Sequence, residues 1–230
     1  AIVLIGKFLT ENGINVITPD KLSDFNEQFD LAILVAYGKI IPSRVLAIPK
    51  YGFINVHPSL LPKYRGPSPI HNAILNGEEK TGVSIMLLDQ EVDHGPILSQ
   101  TELELANNET HDALAETLAN LGSNLLLETL PKYLENNLEA KEQNHNEATF
   151  TNHITKQDGY FDIQNPPDKE KLNRMIRAYY PWPNVWTKID EKVYKLLPEG
   201  KIQPEGKKPM TFKEFQNGYP KVMGLLKDLI

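Results

Sequence analysis

The sequence predicts an α/β fold with a mainly parallel sheet flanked by helices, because strand-like and helix-like segments alternate along the chain. Residues 29–38 contain a nearly continuous apolar run, which is typical of a strand buried on both faces of a parallel sheet. Residues 53–56 predict a further strand. Leucines between Leu114 and Leu134 recur at three-, four- and five-residue intervals, which indicates a long helix facing the core.

The remaining elements follow from local signals. Apolar residues at helical spacing predict a helix over 2–12 that ends at Gly13, and a short strand over 14–17 comes next. Thr110 is suited to cap the long helix, and Pro131 is expected to kink or end it. Further predictions are a short helix after Pro42, a helix over 69–76 closed by Gly77, strands over 81–88 and 95–105 around a polar loop, and a polar surface loop over 139–147.

The amino-acid composition of the sequence changes around Trp182. The stretch RAYYPWPNVW is rich in aromatic residues and proline, and short β-like pieces with charged turns follow it. We place a domain boundary near residue 187, which gives one domain over 1–187 and a small β-rich appendage over 188–230.

Composition narrows the classes of function. The chain has 230 residues, 40% of them hydrophobic and none of them cysteine, which excludes disulfide scaffolds, thiolate metal sites and thiol catalysis. The absence of cysteine fits a reducing compartment, and we expect a cytoplasmic protein. No apolar run approaches the roughly 20 residues of a membrane span, and the opening AIVLIGKFLTENG lacks the features of a signal peptide. With a net charge of −6, any contact with nucleic acid requires a local basic patch.

Two polar residues interrupt the strand that begins at Phe53. Asn55 and His57 are two positions apart, so their side chains project from the same face, and Pro58 then ends the strand pairing. Ligands of parallel sheets bind beyond the carboxyl ends of the strands. An amide and an imidazole there suit the stabilisation of an oxyanion, where one donor is worth about 3–4 kcal/mol in the transition state. Taken alone, the pattern also fits a structural histidine.

A second polar feature is the loop Leu88–Gly95, which carries carboxylates between two predicted strands. An aspartate in this loop is suited to orient His57 or to hold a water that relays a proton. The alternative interpretation is an acidic surface turn. A metal site formed by His57, Asp93 and His94 is disfavoured, because these residues lack a recognisable ligand spacing.

Taken together, these features resemble a known family. The stretch INVHPSLLPKYRGPSPIHNAILNGEEKTGVSIMLLDQEVDHGPIL resembles the formyltransferases that use 10-formyltetrahydrofolate, and the similarity extends from about residue 14 to about residue 186. The resemblance implies a Rossmann-like formyltransferase fold and a catalytic trio of Asn55, His57 and Asp93. The assignment of Asp93 follows the Asp-x-Gly pattern of the family, which Asp89 does not fit.

The resemblance also implies a folate site and a mechanism without a metal. The expected folate-binding residues are Ser59, Leu60, Leu61, Pro62, Tyr37, Gly38, Ile40 and Ile41, with a cis Leu61–Pro62 peptide bond. An amine attacks the formyl carbon of 10-formyltetrahydrofolate. Asn55 and a protonated His57 then bind the oxyanion, while Asp93 orients His57 and relays protons.

The tail GKIQPEGKKPMTFKEFQNGYP resembles the branch of the family that formylates initiator methionyl-tRNA. This resemblance implies that Lys201, Lys207 and Lys208 contact tRNA, and Arg65 is expected to meet a phosphate. We expect Tyr179, Tyr180 and Trp182 to pack against the core instead of binding bases. We expect a monomer with folate and tRNA as its partners and no membrane association.

Compared with the family, the sequence is expected to lack the opening strand-helix-strand unit with its glycine-rich turn, and the appendage is expected to be reduced. Three alternatives to formylation of methionyl-tRNA stay open. They are a formyltetrahydrofolate hydrolase, a formyltransferase for another amine such as an amino sugar, and a non-catalytic remnant that binds folate or RNA.

Overall fold

The computed structural model describes residues 11–14, 25, 27–35, 37–38, 40–227 and 229. The predicted helix over 2–12 and the predicted strand over 14–17 fall almost entirely outside these residues. The description below is confined to the described part of the chain.

The first sheet contains four strands in the order β1-β2-β3-β4. The strands are β1 (Ala32–Leu34), β2 (Phe53–His57), β3 (Lys80–Leu87) and β4 (Ile97–Glu104), and the helices are α1 (Ser43–Leu46), α2 (Pro69–Asn76) and α3 (His111–Leu134). These elements confirm the predicted order of strands and helices. Gly77 closes α2 in the left-handed conformation, with φ of 64°, as its position after the helix predicts.

The α/β class is confirmed, but the described sheet is mixed instead of mainly parallel. Strand β1 pairs with β2 in parallel, whereas β2 with β3 and β3 with β4 are antiparallel. The connection between β3 and β4 spans only residues 88–96, and a parallel arrangement requires a crossover of about a dozen residues or more. The two strands therefore form an antiparallel pair around the polar loop.

Strand β1 is less buried than its composition predicts. Ile33 is 44% exposed and the adjacent Val35 is 66% exposed, so the prediction of a strand buried on both faces is wrong for this segment. In the order of the described strands β1 is outermost, and β2 lies inside it. An apolar run therefore does not by itself distinguish a central strand from an outer one.

Helix α3 covers one face of the sheet. Leu114 and Leu118 from the predicted leucine stripe are almost fully buried against Ile54, Val83 and Ile85. The helix approaches the sheet closely at Gly122, where a Cβ atom would lie 2.8 Å from Cγ1 of Val56. Pro131 lies within the helix, which continues to Leu134.

The second sheet has an antiparallel meander and its own core. After helix α4 (Lys169–Ala178) come strands β5 (Val185–Ile189), β6 (Lys192–Leu197), β7 (Lys201–Pro204) and β8 (Met210–Thr211), and helices α5 (Phe212–Gly218) and α6 (Pro220–Leu226). Its core is formed by buried residues from both sides of residue 187, among them Phe161, Leu172, Val185, Leu196 and Phe215. A division at residue 187 would cut β5, so we favour a boundary before residue 161 as a proposal.

The aromatic residues that precede β5 differ in burial. Tyr179 is 7% exposed and belongs to the second core, whereas Trp182 is 56% exposed. The expectation that both pack against the core is therefore wrong for Trp182. Among the described helices, none has the length and apolar character needed to cross a membrane.

Two histidine rings lie against each other where α2 meets the start of α3, and they predict that the stability of the fold is sensitive to acid. The ring centroids of His71 and His111 are 3.9 Å apart. Burial, together with the neighbouring His111, lowers the pKa of His71 from its ordinary value of 6.5 to about 4. Between a pH of about 6.5 and about 4, His71 is therefore protonated in the unfolded chain but mostly neutral in the folded chain. The contribution of neutral His71 to the free energy of unfolding is fully present above a pH of about 6.5 and is lost as the pH falls towards about 4.

We expect the free energy of unfolding to fall by about 1–2 kcal/mol more in the wild type than in His71→Gln between pH 7 and pH 4.5, after allowance for partial solvent exposure. Urea denaturation at both pH values measures this difference. His153→Gln, at an exposed histidine, is the matched control and keeps the wild-type pH dependence. An equal loss of stability in the wild type and His71→Gln would contradict the prediction.

Candidate active site

The carboxyl end of β2 brings the predicted trio together. The amide Nδ2 of Asn55 donates a hydrogen bond to Oδ1 of Asp93 at 3.2 Å, and Nδ1 of His57 lies 3.6 Å from the same oxygen. His57 is 4% exposed and Asp93 is 8% exposed. Residues that are 38 positions apart in the sequence therefore form one compact polar cluster.

Both carboxylate oxygens of Asp93 accept hydrogen bonds. Its Oδ2 accepts a hydrogen bond from the backbone N–H of Gly66 at 2.7 Å, while Oδ1 accepts the one from Asn55. The backbone of Asp93 is left-handed, with φ of 48°, and this conformation directs the side chain of an exposed loop back towards β2.

His57 is expected to be neutral in the resting protein. Its burial lowers the pKa, and the charge of Asp93 and the hydrogen bond with the backbone of Tyr64 offset this effect only in part. Nε2 lies 3.0 Å from the carbonyl oxygen of Tyr64, so we assign the proton to Nε2 and the lone pair to Nδ1. The expectation of a protonated His57 concerns the tetrahedral intermediate and stays a prediction, whereas the lowered pKa describes the resting state.

Tyr64 is a site residue that the sequence analysis missed. Its φ of 60° is rare for a residue with a side chain, and its carbonyl accepts the hydrogen bond of His57. The phenol is hydrogen-bonded to Glu78 and Asn76, and burial, followed by the bond to Glu78, raises its pKa to about 12. These contacts anchor the residue that orients the imidazole.

The loop Ser59–Pro62 is fixed by side chains of β3 and β4. Ser84 donates to the carbonyl of Ser59 at 2.6 Å and accepts from the N–H of Leu61 at 3.1 Å. Nε2 of Gln100 donates to Ser84 and to the carbonyl of Leu61. The predicted cis Leu61–Pro62 bond is confirmed. The hydroxyl of Ser59 donates to the carbonyl of Lys63 and is buried, so it shapes the loop itself.

A cavity of about 360 Å³ opens beside Asp93. It includes the predicted residues Gly38, Ile40 and Ile41, whereas Tyr37 and the loop 59–62 lie outside its described lining. The loop Leu88–Gly95, which the sequence singles out for its carboxylates, contributes more residues than Asp93 alone, namely Leu88, Asp89, Gln90, Glu91 and Val92. The lining residues that the sequence analysis missed are Leu34, Leu46, Gly66, Pro67 and His153. Its size and largely aliphatic walls fall in the range of pockets for small organic ligands.

Arg65 is buried and does not present its charge to solvent. Only 2% of the residue is exposed, and its Nε and Nη2 donate to Oε1 of Gln143 at 3.2 and 2.7 Å. The expectation that Arg65 meets a tRNA phosphate is therefore withdrawn, because binding a phosphate requires its exposure and the loss of these bonds.

The three candidate lysines belong to strand β7 and the turn that follows it. Lys201 begins β7 and its Nζ pairs with Glu199 at 2.6 Å, whereas Lys207 and Lys208 are exposed in the turn between β7 and β8. Near the cluster, His94 pairs with Asp89 instead of joining His57. Within the part of the chain that the structure describes, no three histidine or carboxylate side chains form a metal-binding group.

Comparisons with known proteins agree with this architecture. Residues 20–130 match the family model described as formyl transferase, and residues 153–199 match the model of the formyl transferase C-terminal domain. A 4-N formyltransferase from Francisella tularensis has a similar structure, with a TM-score of 0.73 and 23% identity. That similarity covers 86% of this chain and 82% of the other, and it supports the formyltransferase fold.

Two curated relatives are named methionyl-tRNA formyltransferase. The protein from Roseiflexus sp. (strain RS-1) is 43% identical over 182 residues, which cover 76% of this chain and 55% of the relative. The protein from Thermodesulfovibrio yellowstonii is 35% identical over 253 aligned positions, which cover 93% of this chain and 80% of the relative. The chain thus spans about half the length of the first relative and four fifths of the second. From these matches, the chain belongs to the formyl transferase family.

Proposed function

We propose that the chain transfers a formyl group from 10-formyltetrahydrofolate to the α-amino group of methionine on initiator methionyl-tRNA. The observation that carries this proposal is the cluster of Asn55, His57 and Asp93 beside the 360 Å³ cavity, in a chain of the formyl transferase family. The names of the curated relatives support the choice of acceptor. We further propose that the chain acts as a monomer in the cytoplasm.

The cavity suits the folate end of the donor. Aliphatic side chains of Leu34, Ile41 and Val92 would cover the faces of a flat ring, and the backbone of the loop 88–93 offers hydrogen-bonding groups at its edge. Asp93 lies both in this lining and in the polar cluster, so a donor bound here would present its formyl group to Asn55 and His57. No metal is required for this arrangement.

The side chains can carry the proton that formyl transfer must move. When the amine attacks, its nitrogen bonds to the formyl carbon and the C=O electron pair moves to oxygen, where Asn55 is placed to donate a hydrogen bond. Neutral His57 takes the amine proton at Nδ1, and the charge of Asp93 stabilises the resulting imidazolium. His57 then returns the proton to N10 of the folate as the C–N10 bond breaks. The products are the formylated amine and tetrahydrofolate.

The central experiment incubates the protein with 10-formyltetrahydrofolate and either charged initiator tRNA, an amino-sugar nucleotide or no acceptor. Formation of formyl-methionyl-tRNA is the expected result. Release of formate and tetrahydrofolate without an acceptor would indicate a hydrolase, and formylation of the amino sugar would indicate a different acceptor. Folate binding without any turnover would favour the non-catalytic remnant.

The exposed lysines of the β7–β8 turn predict a salt-dependent contact with tRNA. We expect Lys207→Ala combined with Lys208→Ala to weaken tRNA binding, because each cation that neutralises a phosphate releases counterions. The slope of log K against log salt should fall by about one for each lost contact. Binding measured from 50 to 200 mM salt tests this, with Lys132→Ala on α3 as the control. Equal slopes in the double variant and wild type would remove these lysines from the interface.

A further inference from the structure

The segment 141–151 joins the two loops that build the candidate site, although its composition predicts only a surface loop. At one end Lys141 exchanges two backbone hydrogen bonds with Ile97, each 2.8 Å long, just after the loop that carries Asp93. At the other end the backbone N–H and the hydroxyl of Thr151 both donate to the carbonyl oxygen of Arg65, and the same hydroxyl accepts from the backbone N–H of Ser68. The segment therefore bridges the loop 88–96 and the loop 58–68.

Gln143 lies at the centre of this bridge and uses both ends of its side-chain amide. Its Oε1 accepts two hydrogen bonds from Arg65, and its Nε2 donates to the carbonyl oxygens of Asp93 at 2.9 Å and Gly95 at 2.7 Å. The residue is 6% exposed. Each of the four hydrogen bonds joins Gln143 to a residue of a site-forming loop.

The backbone of the Asp93 loop needs such support. Asp93 has a left-handed backbone, which is unfavourable for a residue with a side chain and persists only when surrounding contacts hold it. At Gly95 a Cβ atom would lie 2.2 Å from the carbonyl oxygen of Leu87, so this turn is tightly packed. Gln143 binds the carbonyls on both sides of His94 and thereby fixes the direction in which the Asp93 side chain leaves the loop.

We propose that Gln143 is a positioning residue for formyl transfer, which links buried Arg65 to the backbone of Asp93 and so holds the Asp93 carboxylate against Asn55 and His57. This inference rests on the proposed function for its effect on turnover. The link itself rests on the contacts of Gln143. The charged or titratable groups facing this arrangement are Asp93 and His57 on one side and Arg65 with His145, 2.9 Å from its Nη2, on the other. His94, whose ring stacks on His145 at 4.0 Å and whose Nδ1 pairs with Asp89, lies between the two carbonyls that Gln143 binds.

Two variants separate the hydrogen bonds of Gln143 to Arg65 from its hydrogen bonds to the Asp93 loop. Gln143→Leu has a similar volume and removes all four hydrogen bonds. Gln143→Glu keeps an acceptor for Arg65 but places carboxylate oxygens against the carbonyls of Asp93 and Gly95, so it breaks only the link to the Asp93 loop. Glu142→Leu is the matched control, because Glu142 is the exposed neighbour on the same segment.

We expect both Gln143 variants to lower kcat by about 10- to 100-fold, since a displacement of about 1 Å in a catalytic group has effects of this size. The KM for 10-formyltetrahydrofolate should change by less than about threefold. Because the charge of Asp93 raises the pKa of His57, its displacement should lower that pKa and move the acidic limb of the kcat profile to lower pH. Glu142→Leu should retain the wild-type profile.

Crystal structures of the wild type and the variants provide a readout that does not depend on turnover. The expected result is a longer distance from Asn55 Nδ2 to Asp93 Oδ1 in both Gln143 variants. An unchanged Asp93, or a lower kcat with an unmoved acidic limb, would overturn the positioning role. If Gln143→Leu does not fold, Gln143→Glu decides the question. An inactive wild type would count against the proposed function alone, while the Asp93 position would still test the link.

Discussion

His57→Ala should lower kcat for formyl transfer by about 10²- to 10⁴-fold, while the affinity for 10-formyltetrahydrofolate stays within about threefold of the wild type. The imidazole provides the group that accepts a proton near Asp93, and no neighbouring side chain at the described cluster replaces it. Its ring is 4% exposed and bonds to the Tyr64 carbonyl, so it contributes little surface to the cavity. Single-turnover kinetics and equilibrium folate binding measure the two quantities separately.

A second variant separates the chemical role of His57 from its structural role. His57→Gln can still donate a hydrogen bond to the carbonyl of Tyr64, but it does not titrate. We expect its thermal stability to be closer to that of the wild type than the stability of His57→Ala, because the buried carbonyl keeps a partner. Its turnover should be as low as that of His57→Ala. Turnover near the wild-type value in either variant would disprove the proposed proton transfer.

Gly82→Ala should destabilise the fold by more than about 3 kcal/mol. Gly82 lies in β3, where an added Cβ atom would be 2.1 Å from the carbonyl oxygen of Thr101 in β4 and 2.6 Å from Cδ2 of Leu60. The first contact forces the two strands apart, because a backbone oxygen in a paired strand cannot rotate away. The second displaces the loop Ser59–Pro62. The close approach of Thr101 thus gives a physical reason for glycine at position 82.

Urea denaturation with a tryptophan fluorescence readout measures the loss of stability. Gly224→Ala is the matched control, since among the described residues nothing outside the helix's own backbone and its chain neighbours lies within 4 Å of a Cβ at this helical position, and we expect it to be neutral or stabilising by up to about 1 kcal/mol. If Gly82→Ala folds poorly, the soluble fraction on expression reports the same effect. Wild-type stability in Gly82→Ala would show that β3 and β4 adapt more easily than their contacts indicate.

Local patterns predicted much of the fold. The helix over 69–76 begins at Pro69 and ends before Gly77, and these two residues set its limits through their backbone preferences. The spacing of Asn55 and His57 predicted that both face one side of a strand end, and the structure places them together. The exposure of Ile33 in β1 was not predictable in this way, because burial depends on which elements lie beside a strand.

The remaining site features arise from contacts between distant residues. The guanidinium group of Arg65 is suited to bind a phosphate, but Gln143, 78 positions later, accepts its hydrogen bonds inside the protein. The polar sequence around Gln143 predicts a surface loop, whereas the side chain of Gln143 is buried. Tyr64 contributes a backbone carbonyl, which every residue possesses, so its sequence gives no signal of that role.

The sequence by itself predicted the order of the described elements, because that order depends on spacing and on local backbone preferences. The family and the members of the polar cluster followed from the resemblance of its motifs to a known family. The tertiary structure decided the burial of Arg65, the contacts of Gln143 and the desolvation that lowers the pKa of His57. The physical reason is desolvation: the pKa of His57 and the partners of Arg65 depend on which groups exclude water from them. Those groups come together only when segments far apart in the sequence fold against each other.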